Sequence, residues 1–300
     1  PFKGVGESGS TELCGEGVEK VGFVEDPTMH GDGFHSDEES SDLVGEGSGV
    51  GKPTGPIDTG VPPSVYTIPW GRAETSWDHV DATAFAIRGN NYLHDKKKIP
   101  ALPCAFQLVE VGGYNTTKGQ DQRFATERND SYYARAHKAG RKNFLFVMHL
   151  DLGSTHTVMV YELNQDALEH DPAFKRCWGR FLSGDDEYKN KRIKLITSVV
   201  DANWMVRKTI GKPVPALIGN KLSCYYRQTP DLLECTCDVT SSMAAATIVS
   251  VVKSACKNIV CDLVLMIEGQ RDDELPERVI GACRYIKHDI SRYVNVAQGH

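Results

Sequence analysis

Apolar residues alternate with polar ones, or form short apolar runs, throughout residues 77–290. The segments with this pattern are 104–111, 144–150, 157–163, 192–200, 222–227, 232–239, 259–268 and 279–286. Their length and their content of β-branched and aromatic residues are typical of strands. Residues 83–93 predict two further short strands joined by a turn at 89–91. The pattern therefore indicates a domain in which strands dominate.

A helical pattern is clearest near the end of the chain, at residues 242–257. Apolar side chains recur there at three- and four-residue spacing, namely Met243, Ala244, Ile248, Val251, Val252 and Ala255. Thr240, Ser241 or Ser242 can serve as the N-cap, because a hydroxyl there can accept hydrogen bonds from N–H groups of the first turn. We therefore predict a long helix with one buried face. The polar segment 120–138 predicts a surface helix or an ordered loop.

This order of elements, many strands and then a helix and two strands, predicts an α+β fold. We expect a largely antiparallel curved β-sheet packed against the long helix in the C-terminal half and against smaller helices. Strands and helices do not alternate regularly along the chain, so a doubly wound parallel sheet does not fit the pattern.

Charge and composition divide the chain. Residues 1–62 carry 13 acidic residues against 3 basic ones and contain 14 of the 28 glycines. A segment with so few apolar residues cannot offset the entropy lost on ordering. We predict a disordered acidic Gly- and Ser-rich tail with a Pro-rich linker over 1–76, one folded domain over 77–290, and a C-terminal tail over 291–300.

No sequence motif indicates a cofactor or a metal. Residues 45–52 resemble a phosphate-binding loop, but Glu46 and Pro53 stand where that loop requires Gly and Ser or Thr. Cys235 and Cys237 lie on one face of a predicted strand, with no second Cys or His pair close in sequence. We therefore expect no cofactor and no metal, and we interpret these cysteines as core or strand residues.

The cysteines and the apolar runs bear on the compartment. The nine cysteines are scattered, without the dense spacing of a secreted disulfide scaffold. No apolar stretch reaches the roughly 18–20 residues of a membrane-spanning helix. We expect a cytoplasmic protein that is soluble or bound peripherally to a membrane.

Several blocks, in this order, resemble one known family. They are FAIRGNNYLHDK at 85–96, RIKLI at 192–196, NWMVR at 203–207, PALIG at 215–219, IEG at 267–269 and ELPE at 274–277. Together they resemble the C-terminal domain of plant enhanced disease resistance 2 proteins. In that family the domain follows a phosphoinositide-binding pleckstrin homology domain and a lipid-transfer START domain. The resemblance thus implies a lipid or membrane context.

The charged residues inside these blocks are candidate ligand-binding or structural polar residues. They are Arg88, Lys194, Glu234, Asp238, Glu268, Glu277 and Arg284. A buried charge requires a partner, so these residues form structural ion pairs at strand ends or line a pocket for a polar head group. Because no nucleophile, base or metal motif accompanies them, we predict no catalytic residue.

Two basic runs are candidate contacts to an anionic membrane. They are Lys96, Lys97 and Lys98, and Lys189, Lys191 and Arg192. Each base near an anionic leaflet contributes about 1 kcal/mol to binding. A solvated surface is the alternative interpretation. Neither run is interleaved with aromatic residues, so we expect no nucleic-acid partner. We interpret Trp204 as a core or sheet aromatic.

These observations favour a non-enzymatic binding domain for an amphipathic ligand or an anionic lipid at a membrane surface. A cavity between the sheet and the helix at 242–257 would hold such a ligand. The alternative is a protein-interaction module in defence or trafficking signalling, with partners that the sequence does not name. An enzyme ranks third, since no catalytic motif is present.

Overall fold

The computed structural model describes residues 58–71, 74–116, 123–210 and 213–296. The phosphate-loop-like segment and most of the predicted acidic tail lie outside these residues. The strands are β1 Ser76–Asp78, β2 Ala86–Arg88, β3 Lys98–Pro100, β4 Phe106–Asn115, β5 Leu145–Asp151, β6 Thr155–Leu163, β7 Ile193–Asp201, β8 Ala216–Leu217, β9 Ser223–Thr229, β10 Leu232–Asp238, β11 Val260–Ile267, β12 Val279–Ile286 and β13 Val294–Asn295. The helices are α1 Tyr92–Asp95, α2 Tyr132–Lys138, α3 Gln165–His170, α4 Pro172–Ser183, α5 Asp186–Asn190, α6 Trp204–Ile210 and α7 Met243–Ala255.

The strands form two main sheets and one small hairpin. A five-stranded sheet has the order β1-β12-β11-β7-β8 and is antiparallel throughout. A six-stranded sheet has the order β13-β4-β6-β5-β10-β9, in which β13 pairs with β4, and β10 with β5, in parallel. Strands β2 and β3 pair separately. The predicted α+β class is confirmed, with one antiparallel and one mixed sheet.

The main core contains side chains from both sheets. Phe146 and Tyr161 of the six-stranded sheet and Leu265 and Cys283 of the five-stranded sheet belong to one apolar cluster, each fully buried. The sheets approach closely at Gly281, where a Cβ atom would lie 2.4 Å from Cδ1 of Tyr161. Glycine is needed there because a larger residue would overlap the tyrosine ring.

The helix that packs into this core is α4, which the sequence pattern did not predict. Asp171 caps it by accepting the N–H of Phe174 at 2.9 Å, and Pro172 occupies its first turn. Its buried face carries Phe174, Cys177, Trp178 and Phe181 at helical spacing. Trp178 packs edge-on against Phe106 at 5.0 Å between ring centroids.

The prediction of a long helix packed on the sheet at 242–257 was wrong. Helix α7 has 13 residues, and its N-cap is Ser242, one of the three predicted candidates. Met243 is 89% exposed, and Ala244 is exposed as well. The run of alanines favours a helix whether or not it is buried, while α4 supplies the helical packing in the core.

Each sheet has a covered outer face. Residues 82–104 pack on the five-stranded sheet and bury Ile87 and Ala101 against Val264 and Met266. Helix α2 covers the six-stranded sheet, where Tyr132 and Ala136 join a third apolar cluster. Within 82–104 the predicted two-stranded turn at 89–91 was wrong. The partner of β2 is β3, because α1 and Lys96, in a left-handed conformation at φ 58°, reverse the chain later.

Residues outside 77–290 also contact the sheets. The Ile68 N–H donates to the Val111 carbonyl at 2.8 Å, and the Trp77 indole donates to the Ile68 carbonyl at 2.9 Å. At the other end β13 pairs with β4, and Tyr293 is buried. Parts of the segments assigned to the linker and the C-terminal tail therefore pack with the domain.

None of the helices in the described residues combines the length and the apolar composition required to cross a membrane.

Candidate functional site

Four of the charges in the family-like blocks meet in one ionic cluster. Arg88 Nη2 lies 2.9 Å from Glu268 Oε2, and Lys194 Nζ lies 2.5 Å from Glu277 Oε1. Lys194 also lies 3.6 Å from Glu268, and Arg88 Nε lies 3.7 Å from Glu277. The side chains of Lys194 and Glu277 are almost fully buried. Two positive and two negative charges thus neutralise each other beneath the surface.

The cluster joins β2 to the ends of three strands of the five-stranded sheet. Lys194 is on β7, Glu268 follows β11 and Glu277 precedes β12. The N–H groups of Arg88 and Gly269 donate to the Glu277 carboxylate at 3.1 and 3.2 Å, and the Arg88 guanidinium donates to the Gly269 carbonyl at 2.9 Å. Since these charges are engaged with one another, the geometry suits a structural tie more than a head-group pocket.

The second predicted basic run is not an exposed basic surface. Arg192 is buried, with Nη1 2.7 Å from Glu274 Oε2. Lys189 is buried as well, and its ammonium donates to the Gly184 carbonyl. Burial lowers the pKa of Lys189. Lys191 is exposed, yet its ammonium lies 2.5 Å from Glu187. The sequence prediction failed because Lys189 lies on the short helix α5 and Arg192 pairs with Glu274, which is 82 residues away along the chain.

The first basic run remains on the surface. Lys96, Lys97 and Lys98 are exposed in the connection from α1 to β3. Lys96 Nζ donates to the Leu93 carbonyl at 3.1 Å and lies 5.7 Å from the ring centre of Tyr92. Burial and repulsion by Lys194 lower the pKa of Lys98. This run, together with Lys191, is the part of the predicted membrane-contacting set that the fold leaves exposed.

Glu234 lies in a separate, buried polar network on the outer face of the six-stranded sheet. Its carboxylate accepts the N–H groups of Ala125 and Thr126 at 2.7 and 3.1 Å and the Thr126 hydroxyl. His149 Nδ1 lies 3.6 Å from Glu234 Oε1, and His149 Nε2 lies 3.0 Å from His156 Nδ1. Glu234 thus ties the 3-10 turn Ala125–Glu127 to the sheet.

This network continues from His156 to the Thr116 hydroxyl, 3.0 Å from Nε2. Tyr114 stacks on His156 with ring centroids 5.0 Å apart. Burial lowers the pKa of His156 to about 3, so the imidazole is neutral at physiological pH. A cavity of about 40 Å³ lies between this face and α2. It can hold a few water-sized molecules but no lipid chain.

Asp238 and Arg284 lie apart from both networks. Asp238 ends β10 and accepts the N–H groups of Thr240 and Ser241 at 2.8 and 3.1 Å. Arg284 forms a two-pronged ion pair across strands with Asp262, at 2.7 and 2.9 Å. Glu234 and Asp238 therefore have different partners and do not form a carboxylate pair.

Helices α6 and α7, which contact each other, expose large apolar side chains that the sequence interpretation missed. Trp204 is 70% exposed, Met205 59% and Met243 89%. We call these three side chains the α6–α7 surface. Trp204 was predicted to lie in the core or on a sheet. The polar residues Asn203, just before α6, and Arg207 and Lys208 within it were the signal for exposure.

Within the part of the chain that the structure describes, two groups of side chains offer several metal-ligand atoms. The sulfurs of Cys224, Cys235 and Cys237 are buried and lie within 4.8 Å of one another. Asp166, Glu169 and His170 are exposed, and Asp166 and His170 line an open groove of about 590 Å³ next to α3 and α4.

Comparisons with known proteins agree with the resemblance in the sequence blocks. The family model described as Protein ENHANCED DISEASE RESISTANCE 2, C-terminal, matches residues 77–289. Protein ENHANCED DISEASE RESISTANCE 2-like from Arabidopsis thaliana is 32% identical over 220 residues, which are 73% of this chain and 29% of that protein. The chain thus spans less than a third of the length of that relative. No solved structure matches the chain. The predicted resemblance is confirmed, and the chain belongs to the ENHANCED DISEASE RESISTANCE 2 C-terminal family.

Proposed function

We propose that this domain is a non-enzymatic module that binds the surface of an anionic membrane through the α6–α7 surface. The observation that carries the proposal is the exposure of Trp204, Met205 and Met243 on two contacting helices. Large apolar side chains in water are unfavourable, and tryptophan suits the boundary between lipid chains and head groups. A membrane surface would cover these side chains without any change in the core.

The expected strength is that of a peripheral contact. Transfer of a Trp or Met side chain out of water contributes roughly 1.5–3 kcal/mol. The three side chains together contribute on the order of 5 kcal/mol, because each is already partly covered. Lys208, exposed on α6, adds about 1 kcal/mol near an anionic leaflet. Such binding is weak, reversible and sensitive to salt.

Arg207 stabilises this surface rather than contributing a free charge. Its guanidinium donates to the carbonyls of Val200 and Ala202 at 3.0 Å each. These bonds hold α6 against the end of β7, so that Trp204 is presented at the start of the helix. An anchored helix loses less conformational entropy when its apolar residues enter a membrane.

The geometry favours a surface contact over an enclosed ligand. The cavity expected between a sheet and the helix at 242–257 has no counterpart in the two cavities described above, since α7 lines neither of them. The charges of the ionic cluster engage one another. The name of the Arabidopsis relative refers to disease resistance, so we propose that membrane binding serves a defence-related process.

Liposome flotation tests the proposal. Vesicles of neutral phosphatidylcholine, and the same vesicles with phosphatidylserine or phosphoinositides, are mixed with the chain at low and physiological salt. We expect flotation with anionic vesicles at low salt. Trp204→Ala should lower the ratio of vesicle-bound to free protein roughly tenfold, because it removes about 1.5 kcal/mol or more of binding free energy. Tyr225→Ala, which removes an exposed aromatic on β9, is the matched control and should bind normally.

Tryptophan fluorescence gives a second readout, because the other three tryptophans are buried or half-buried. Anionic vesicles should shift the emission of the chain to the blue, and Trp204→Phe should abolish that shift. Equal flotation of the chain and Trp204→Ala would contradict the proposal. A failure of the chain to bind any anionic vesicle would also contradict it. Binding of a protein partner at Trp204 would then favour the protein-interaction module.

A further inference from the structure

Four sulfur atoms converge on the inner face of the six-stranded sheet. Cys224 Sγ lies 3.1 Å from Cys237 Sγ, and Cys235 Sγ lies 3.8 Å from Cys237 Sγ. The Met148 thioether lies 4.0 Å from Cys237 Sγ. We call Cys224, Cys235, Cys237 and Met148 the sulfur cluster.

Strand register explains why distant residues meet there. Cys237 lies directly opposite Cys224 in the antiparallel pair β10–β9. Cys235 is two residues before Cys237, so both project from the same face. In the parallel pair β10–β5, Cys235 lies opposite Met148. No further cysteine lies close to the C-x-C pattern in the sequence. Pairing of β9 with β10 places Cys224 next to it.

The sulfur cluster is buried except at one cysteine, which is slightly exposed to solvent. Cys235, Cys237 and Met148 are fully buried, whereas Cys224 is 8% exposed on β9, an edge strand of the sheet. An ion could therefore enter past Cys224. Tyr226, two residues after Cys224 on β9, lies opposite Cys235 in the strand pair, and its hydroxyl donates to Asn190 at 3.0 Å.

We propose that the three cysteines bind one thiophilic metal ion, Cu(I) or Zn(II), with the Met148 thioether as an additional soft ligand. Soft thiolate and thioether donors select these ions. A metal–sulfur bond of about 2.3 Å places tetrahedral sulfur ligands about 3.8 Å apart. The distance between Cys235 and Cys237 already has this value. The distance between Cys224 and Cys237 would widen by several tenths of an ångström, which an edge strand can accommodate.

The chemistry of coordination makes binding depend on pH. A thiol must lose its proton before it binds a metal ion as a thiolate, so uptake of the ion would release protons to solvent. We therefore expect the affinity for the ion to rise with pH.

Titration of the fully reduced chain under anaerobic conditions tests the proposal. Cu(I) is added in competition with a chromogenic Cu(I) chelator. In a parallel arm, Cd(II) replaces Zn(II) as a probe, because its bonds to thiolates absorb in the near ultraviolet. We expect one equivalent of ion per chain in at least one arm. The arm with tighter binding identifies the ion class, and Met148→Leu should weaken Cu(I) binding more than Cd(II) binding.

Variants separate metal binding from folding. Cys224→Ser, at the partly exposed edge position, should lower affinity at least tenfold and remove the metal-dependent rise in melting temperature. Cys283→Ser alters a buried cysteine on the other sheet and should leave metal binding intact. The proposal is overturned if Cys224→Ser binds both ions as the unmodified chain does. It is also overturned if the reduced chain takes up neither ion, as expected when Cys224 and Cys237 serve only as a disulfide pair.

Discussion

Replacement of His288 tests how strongly the fold excludes a charged imidazole. His288 follows β12 and is 6% exposed. Its ring lies 4.6 Å from that of Tyr285 and 5.7 Å from that of Tyr293. No group in the described part of the chain forms a hydrogen bond with its Nε2. Burial lowers the pKa of His288 from 6.5 to about 3.

The linkage between protonation and folding gives the sign and size of the change in stability with pH. Because the folded pKa lies below the unfolded one, stability is greatest above pH 6.5 and declines as the pH falls toward 3. At pH 5 the folded imidazole is still neutral, whereas the unfolded one is charged. The loss is then about 1.4 kcal/mol for each of the 1.5 pH units below 6.5, or about 2 kcal/mol. This figure does not depend on the exact folded value.

Urea unfolding at pH 7.5 and pH 5 measures the effect in the chain and in His288→Phe, which keeps an aromatic ring between the two tyrosines. We expect the unmodified chain to lose about 2 kcal/mol more than the variant. His170→Gln, at an exposed position, should change the pH dependence little. Asp289 remains in every protein, so its titration cancels. Equal losses of stability in the chain and in His288→Phe would show that burial of His288 does not cause this pH dependence.

Two substitutions test the packing and the ionic cluster. Gly281→Ala should destabilise the fold by about 1–3 kcal/mol in thermal or urea unfolding, because its methyl group overlaps the buried Tyr161 ring; an unchanged midpoint would contradict the close approach of the sheets. Lys194→Met should cost about 3 kcal/mol in the same assay, since Glu277 stays buried with its main partner removed. Lys191→Met removes an exposed pair and should change stability by no more than about 0.5 kcal/mol; similar losses in the two lysine variants would contradict a buried role for Lys194.

The strands could be predicted because their signal is local. Alternation over six to ten residues identified β4 to β7 and β9 to β12 to within a few positions. Helix α4 also has a local signal, because Phe174, Cys177, Trp178 and Phe181 recur at helical spacing, but the sequence interpretation did not use it. Its role depends on the gap between the sheets, into which Trp178 packs.

For the candidate sites, too, the sequence identified residues but not their contacts. The sequence placed Arg88, Lys194 and Glu268 in blocks of one family, and the fold brings them together. It also buried Lys189 and Arg192, which sequence reasoning had assigned to a membrane surface. A run of basic residues does not reveal which of them find buried partners elsewhere in the fold, as Lys189 does at Gly184 and Arg192 at Glu274.

The strand content, the α+β class, the family and the difference in charge between the N-terminal segment and the rest follow from the order of the amino acids alone. Which charges pair and which apolar residues stay in water depends on the fold, because the partners lie far apart along the chain. Lys194 and Glu277 are 83 residues apart, and Arg88 and Glu277 are 189 apart. Burial of Trp178 and exposure of Trp204 likewise depend on which surfaces the two sheets leave to be covered.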